Sequence, residues 1–302
     1  MFDFIMNPLK NAVSGVLVFF HNILSTFLDS ESGITWSLSI VGLVIVIRII
    51  LIPLFVKQIK SQRAMTALQP HMKEIQKKYK DDRQKQSEEM MKLYKEHKAN
   101  PLSACLPIFA QAPIFFALFT VLNGLAKDEA PGVMSQAQAD SAANAKFFGA
   151  KISETFLGSD SATVKIVTVF LIALMSATTF TTQKQLMTKG MPKMDSSNNM
   201  MLQQQKIMLY LFPVIFAISG VNFPVGVLIY WSTTNAWTWG QQYYVIKRNP
   251  TPGSPAFEEL QRKRAHKAKL EGKVVEGQES PEIEAPKQEG QRTQPKKKKK
   301  KK

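Results

Sequence analysis

Arg48 stands in the run V-I-V-I-R-I-I-L-I-P-L, with four aliphatic residues on either side. A charge at the centre of an apolar span costs about 2.5 to 3.5 kcal/mol on insertion scales and normally faces a cavity or a partner. Arg48 lies eight residues before Val56, roughly 12 Å by helical rise. That is farther than an arginine side chain comfortably reaches, so a wet pocket open to the cytosol is favoured over snorkelling into headgroups. Polar neutral residues are available to line such a pocket. Gln111 lies between Pro107 and Pro113, Thr178, Thr179, Thr181 and Thr182 form one cluster, and Ser232, Thr233, Thr234, Asn235, Gln241 and Gln242 form another. Each of these could instead hydrogen-bond a neighbouring helix; their concentration on one half of the spans favours a cavity. A second candidate surface is the terminal run Lys296, Lys297, Lys298, Lys299, Lys300, Lys301 and Lys302. Such a run suits anionic lipid or nucleic-acid phosphates, or simply solubilises a tail. Catalysis is not indicated: the apolar segments hold no histidine or carboxylate, and no Walker loop, G-x-S-x-G or metal-ligand spacing occurs. No cofactor is expected.

Five segments must carry these residues: 34–56, 101–123, 164–182, 207–222 and 225–246. They contain no Asp or Glu, and their only charges are Arg48 and Lys165. Runs of about 20 such residues match a hydrocarbon core of roughly 30 Å. The expected class is an all-α integral membrane protein with five spans. The lone cysteine, Cys105, falls inside the second span and is expected to pack there rather than pair.

Charge orients the spans. Segments 57–100, 183–206 and 247–302 together carry a net +18, whereas 1–33 and 124–163 together carry −4. Lysine and arginine therefore alternate in excess from segment to segment, which places the N-terminus outside and the C-terminus in the cytosol. An odd number of spans is required, and five fits.

The flanking segments read as follows. In 1–33, Phe2, Ile5, Leu9, Val13, Val16, Phe20, Ile23 and Phe27 recur at helical spacing, an amphipathic helix in the outer interface; a short sixth span is the competing reading. In 57–100, Met65, Leu68, Met72, Ile75 and Tyr79 form a heptad seam, Asp81-Asp82 offers a turn, and Met90, Tyr94 and His97 form a second stripe. That pattern is a cytosolic helical hairpin, with Pro70 at a kink or restart. His71 and His97 lack partners at metal-binding spacing along one helix and are expected to be solvated or packed. The two-residue link Phe223-Pro224 predicts that spans four and five form a tight pair. The 247–302 tail is rich in Pro, Gly, Glu, Gln and Lys and is expected to be disordered. Met1-Phe2-Asp3-Phe4 has no basic leader region, so the N-terminus is expected to be retained.

Several stretches closely resemble the YidC/Oxa/Albino family of membrane protein insertases. They are the run around Arg48, L-Q-P-H-M-K-E-I-Q-K-K-Y from Leu68, and N-P-L-S-A-C-L-P-I-F-A-Q-A-P-I-F-F-A-L from Asn100. Q-Q-K-I-M-L-Y-L-F-P-V-I-F from Gln204 and F-P-V-G-V-L-I-Y-W from Phe223 complete the set. The resemblance implies five helices around a hydrophilic groove, open to the cytosol and sideways to lipid. It implies that Arg48 attracts acidic residues of a client and that Gln111, Tyr230, Trp231 and Thr234 line the groove. It also implies nascent membrane protein clients, ribosome contact through the basic tail, cooperation with a Sec translocon and residence in a bacterial plasma membrane. Val44 stands where some relatives have threonine, which makes that face of the groove less polar. An assembly chaperone acting only with a separate translocon is the main alternative. A small-solute transporter is a weaker one, since no inverted repeat is evident.

Overall fold

Where the first long helices begin and end follows from single residues. The computed structural model describes residues 2–97, 106–125, 127, 129–192 and 200–270. Helix α1 is Phe2–Leu24 and α2 is Gly33–Ile50. Ser32 caps α2, its Oγ accepting from the Ile34 N–H at 3.2 Å and so satisfying a first-turn donor. Gly33 is required there, because a Cβ would fall 2.2 Å from the Lys146 carbonyl. Helix α3, Ile52–Ala67, follows after Leu51 alone. The expected unbroken span 34–56 is thus divided, because Pro53 has no N–H for the Ile49 carbonyl and its ring crowds that carbonyl.

Helix α1 packs along α2 and along α6, Leu106–Leu125. It buries Met6, Val13, Leu17 and the polar Ser14 and His21 in that contact, while Phe4, Ile5, Phe19, Ile23 and Phe27 face outward. The stripe read from spacing is therefore divided between two faces. Val13 enters the core and Ile5 and Ile23 point away from it, because the neighbours of α1 select the face through Met6, Val13 and Leu17.

The remaining long helices are α8, Ala162–Gln185, prolonged by a π turn at Leu186–Gly190, α9, Met200–Gly220, and α10, Val225–Arg248. Helix α8 packs against both α9 and α10, and α10 packs also against α2. The tight α9/α10 pair expected from the short link does not form among the described residues. Phe216 and Phe223 reach Trp231 near the turn, with ring centroids 4.9 and 5.6 Å away, but beyond it the main partner of both helices is α8. A short connection fixes where two helices start, not which surfaces then bury best.

Segment 124–163 closes one end of this bundle. It contains α7, Gln136–Asn144, and a hairpin of β1, Lys146–Phe147, with β2, Ala150–Lys151. Phe148 and Gly149 both take positive φ in the two-residue turn, as such hairpins require. The segment then caps α10: the N–H groups of Val225 and Gly226 donate to the carbonyls of Glu154 and Ile152 at 2.9 and 2.8 Å. Trp36, 2 % exposed, stacks on His21 at 3.9 Å and donates from Nε1 to Ser141 Oγ. Little of this was expected from a sequence stretch rich in small residues.

Burial is uneven along the bundle. Near the capped end, Ala117, Leu118, Val121 and Leu122 of α6 pack with Val225, Val227 and Leu228 of α10 and with Val164 of α8. Toward the other end the packing loosens. From Trp231 to Val245 only Ser232 is buried, and no residue from Phe109 to Phe116 is. Among the described residues two helices, Gly33–Ile50 and Ala162–Gly190, are long and apolar enough to cross a membrane, and Phe109–Leu125 and Leu209–Gly220 are shorter apolar stretches.

Segment 57–97 folds back on itself. Helix α4, Gln69–Lys78, begins with Pro70 in its first turn, where a missing N–H costs nothing. Asp82 caps α5, Arg83–Glu96, accepting from the Lys85 N–H at 3.0 Å. Leu68, Met72 and Leu93 form a small core flanked by Met65, Ile75, Met90 and Tyr94. Leu93, not His97, is the buried residue of the second stripe. His97 is exposed, and its ring lies 6.2 Å from that of His71, which in turn sits 3.7 Å from Glu74. Spacing along one helix could not reveal that cross-hairpin approach. Among the described residues no group of three metal-ligating side chains occurs. A separate compact unit begins at Glu259, within α11, Pro255–Leu270. Lys296 to Lys302 lie outside the described residues.

Candidate functional site

Arg48 projects from the last turn of α2 toward α10. The guanidinium Nη2 donates to the Thr234 carbonyl at 3.1 Å and to Thr238 Oγ1 at 2.9 Å. Thr238 Oγ1 donates in turn to the same Thr234 carbonyl at 2.8 Å. The Phe55 ring, one helix break further along, lies 5.3 Å from the guanidinium carbon, a cation–π distance. Arg48 is left only 6 % exposed.

Every one of these partners is neutral. Among the described residues no carboxylate lies within ion-pair distance of Arg48. Hydrogen bonds to a charged group contribute about 1.5 to 3 kcal/mol each and offset desolvation, but a carbonyl and a hydroxyl do not cancel a charge. The guanidinium thus has neutral hydrogen-bond partners and no counter-ion among the described residues.

Around it the structure gathers part of the expected set. Tyr230, 2 % exposed, accepts a hydrogen bond at its hydroxyl from Gln111 Nε2 of α6. The same hydroxyl faces the Thr234 side chain and the charge of Arg48. Arg48, Gln111, Tyr230 and Thr234 thus form one polar cluster linking α2, α6 and α10.

The other expected residues sit elsewhere. Trp231 turns into an aromatic cluster with Phe115, Phe216 and Phe223, at centroid distances of 5.1, 4.9 and 5.6 Å. Asn235 bonds across to α8, its Nδ2 donating to Thr179 Oγ1 at 3.1 Å and to the Met175 carbonyl at 3.4 Å. Thr178 donates back to the carbonyls of Leu174 and Met175 in its own helix. Thr181 and Thr182 do the same one turn later. Those threonines are satisfied without a cavity.

Sequence reasoning missed Thr238 and Phe55. Both signals were present: Thr238 is one helical turn beyond Thr234 on the same face, and Phe55 is seven residues beyond Arg48.

Comparison with known proteins bears on what this cluster belongs to. Residues 27–252 match the model of the 60 kDa inner membrane protein family. The membrane protein insertase YidC of Streptomyces avermitilis is 50 % identical over 94 % of this chain and 70 % of its own length. The chain belongs to the YidC family. YidC of Tropheryma whipplei is 38 % identical, covering 87 % of this chain and 91 % of that one, and YidC of Bifidobacterium longum is 33 % identical over 93 % and 86 %. Among solved structures, an active YidC insertase with its first transmembrane domain resolved aligns at a TM-score of 0.52 and 25 % identity. The alignment covers 77 % of this chain but only 46 % of that one, so this chain spans less than half the length of the solved relative. The protein is a helical membrane protein of the cell membrane.

Proposed function

We propose that this chain is a membrane protein insertase and folding chaperone for small single- or double-span clients of a bacterial plasma membrane. The observation that carries the reading is the buried, uncompensated charge of Arg48 between α2 and α10 in a chain of this family. Arg48 supplies half of an ion pair, and the acidic tail of a client supplies the other half as it crosses.

The gradient of burial supports a hydrophilic groove. Side chains are packed at the end closed by segment 124–163 and loosely packed from Trp231 to Val245, so water reaches the polar cluster from the hairpin side. In this reading α2 with the start of α3, α6, α8, α9 and α10 are the five spans. The N-terminus lies outside and the C-terminus in the cytosol, following the distribution of lysine and arginine. Hairpin α4/α5 and the basic tail face the cytosol, where nascent clients, ribosomes and a Sec translocon are met.

No nucleotide is needed for the step. Moving about 1,000 Å² of apolar client surface out of water contributes ~25 kcal/mol, whereas each translocated charge costs about 2.5 to 3.5 kcal/mol at mid-bilayer. A wet groove lowers that cost further by shortening the hydrocarbon path.

The test uses the purified protein in liposomes with a single-span client bearing an acidic tail. Arg48→Lys retains insertion and Arg48→Ala loses most of it. Normal insertion by Arg48→Ala would overturn the electrostatic mechanism, and a wild-type protein that inserts nothing without a translocon would leave only the chaperone role.

A further inference from the structure

The β1/β2 hairpin is built from residues that a hairpin in water does not favour. Both residues of its turn, Phe148 and Gly149, have positive φ, at 48° and 83°. Asn-Gly is the ordinary choice for such a turn, because a bulky side chain crowds its own backbone in the left-handed region. Phe148 stands in the first position instead, and it is 77 % exposed. Its ring is braced edge to face against that of Phe147, centroids 4.6 Å apart. One pair back from the turn, Lys146 and Lys151 stand directly opposite each other. Like charges so placed repel, and neither lysine has an ion-pair partner among the described residues.

Alternation along the strands puts the two lysines on one face and Phe147 and Ala150 on the other. Ala150 is buried and Phe147 packs on the core of the bundle, so the lysine face is turned outward.

The place of the hairpin along the bundle is a second, independent observation. Strand β1 packs on α2 and β2 on α8. A Cβ on Gly149 would lie 3.1 Å from Thr163 Cγ2, in the first turn of α8. Thr163 heads an exposed stripe that continues through Ile166, Phe170 and Leu174, all on one helix face by their spacing. In a helix that crosses the bilayer, that stripe faces lipid. The turn therefore sits where α8 leaves the hydrocarbon, on its lipid side. An aromatic tip beside paired lysines suits this boundary, since the ring can enter the acyl region while the ammonium groups meet headgroup phosphates.

We propose that the β1/β2 hairpin anchors the capped end of the bundle in the adjacent leaflet, with the Phe148 ring just below the headgroups and Lys146 and Lys151 on the phosphates of an anionic phospholipid. Lipid then offsets both unfavourable features, the bare ring in a left-handed turn and the opposed charges. The proposal rests on α8 crossing the membrane but not on insertion activity.

Phe148→Trp keeps an aromatic ring at the tip. The full-length variant is reconstituted in vesicles of phosphatidylglycerol and phosphatidylcholine whose acyl chains are brominated near the headgroup, and its fluorescence beyond that of wild type is followed. Phe170→Trp, on the stripe of α8, is the control. Bromolipid is expected to quench both. Quenching of Phe170→Trp alone, with the Phe148→Trp indole open to aqueous acrylamide, overturns the anchor and leaves the membrane placement of α8 intact. A tip shielded from both quenchers overturns it in favour of a contact with a second copy of the chain. Quenching at neither position overturns the placement of α8 and the anchor with it. In the Phe148→Trp background, Lys146→Gln and Lys151→Gln each lower the ratio of lipid-quenched to water-exposed tip by about fivefold, and vesicles of phosphatidylcholine alone lower it likewise. An unchanged ratio in both overturns the headgroup contact.

Discussion

Arg48 Nη2 and Thr238 Oγ1 lie 2.9 Å apart although 190 positions separate them in the chain. The contact joins the last turn of α2 to the middle of α10, and Thr238 is itself held by the Thr234 carbonyl that Arg48 also uses. The guanidinium is therefore fixed by a three-membered arrangement rather than by a single bond, and its direction is set before any client arrives.

Thr238→Val keeps the shape of the side chain and removes the hydroxyl. The expected cost is about 1 to 3 kcal/mol, because a buried charged donor loses an acceptor. Thr238→Ser is expected to restore most of it. Thermal unfolding in detergent measures the stability, and insertion of an acidic-tailed client measures whether the arginine still points correctly; unchanged behaviour of Thr238→Val in both would show that Thr234 alone suffices.

The hydrogen bond from Gln111 to Tyr230 ties α6 to α10. In a double-mutant cycle of Gln111→Leu and Tyr230→Phe, a coupling of about 0.6 to 1.7 kcal/mol is expected, the range for hydrogen bonds between membrane helices. Strict additivity of the two single losses would mean that the bond contributes nothing to stability.

Leu93 anchors the small core of the α4/α5 hairpin against Leu68 and Met72. Leu93→Ala is expected to destabilise that hairpin by about 2 to 5 kcal/mol. Hydrogen exchange of α4 and α5 amides should accelerate while that of α10 stays unchanged, since the two regions share no core residue.

Tyr94 gives the hairpin a pH dependence. Burial pushes its phenol above the ordinary tyrosine value, so the fold favours the neutral ring. Its contribution is complete below the unfolded phenol's range near 10 and is lost as pH rises through the higher folded value. Tyrosinate absorbance of Tyr94→Phe should show one late-titrating group fewer than wild type, and the variant should lack the alkaline loosening seen by hydrogen exchange.

Much of the fold was legible because membrane insertion writes itself into composition. The apolar segments mark the cores of α2, α6, α8, α9 and α10, and Met65, Leu68, Met72 and Asp82 mark a hairpin and its turn. The break at Leu51 was not read from the sequence, although Pro53 carried its signal. Less visible was segment 124–163, whose Ile152 and Glu154 carbonyls cap α10 and whose Ser141 accepts from Trp36. Backbone carbonyls carry no sequence signature, and small residues reveal little until their neighbours are known.

The sequence by itself determined that a charge lies in an apolar helix, that the basic segments alternate, and that the chain carries the motifs of an insertase family. These follow from residue type and order, which periodicity and hydropathy read directly. Only the tertiary structure decided which polar side chains meet that charge. Thr234 and Thr238 reach Arg48, whereas Thr178 and Thr182 turn back on their own helix and Trp231 joins an aromatic cluster. The physical reason is that a helix presents its residues on all sides, and the rotation of α10 against α2, α6 and α8 is fixed by packing along the whole bundle rather than by the residues of the site.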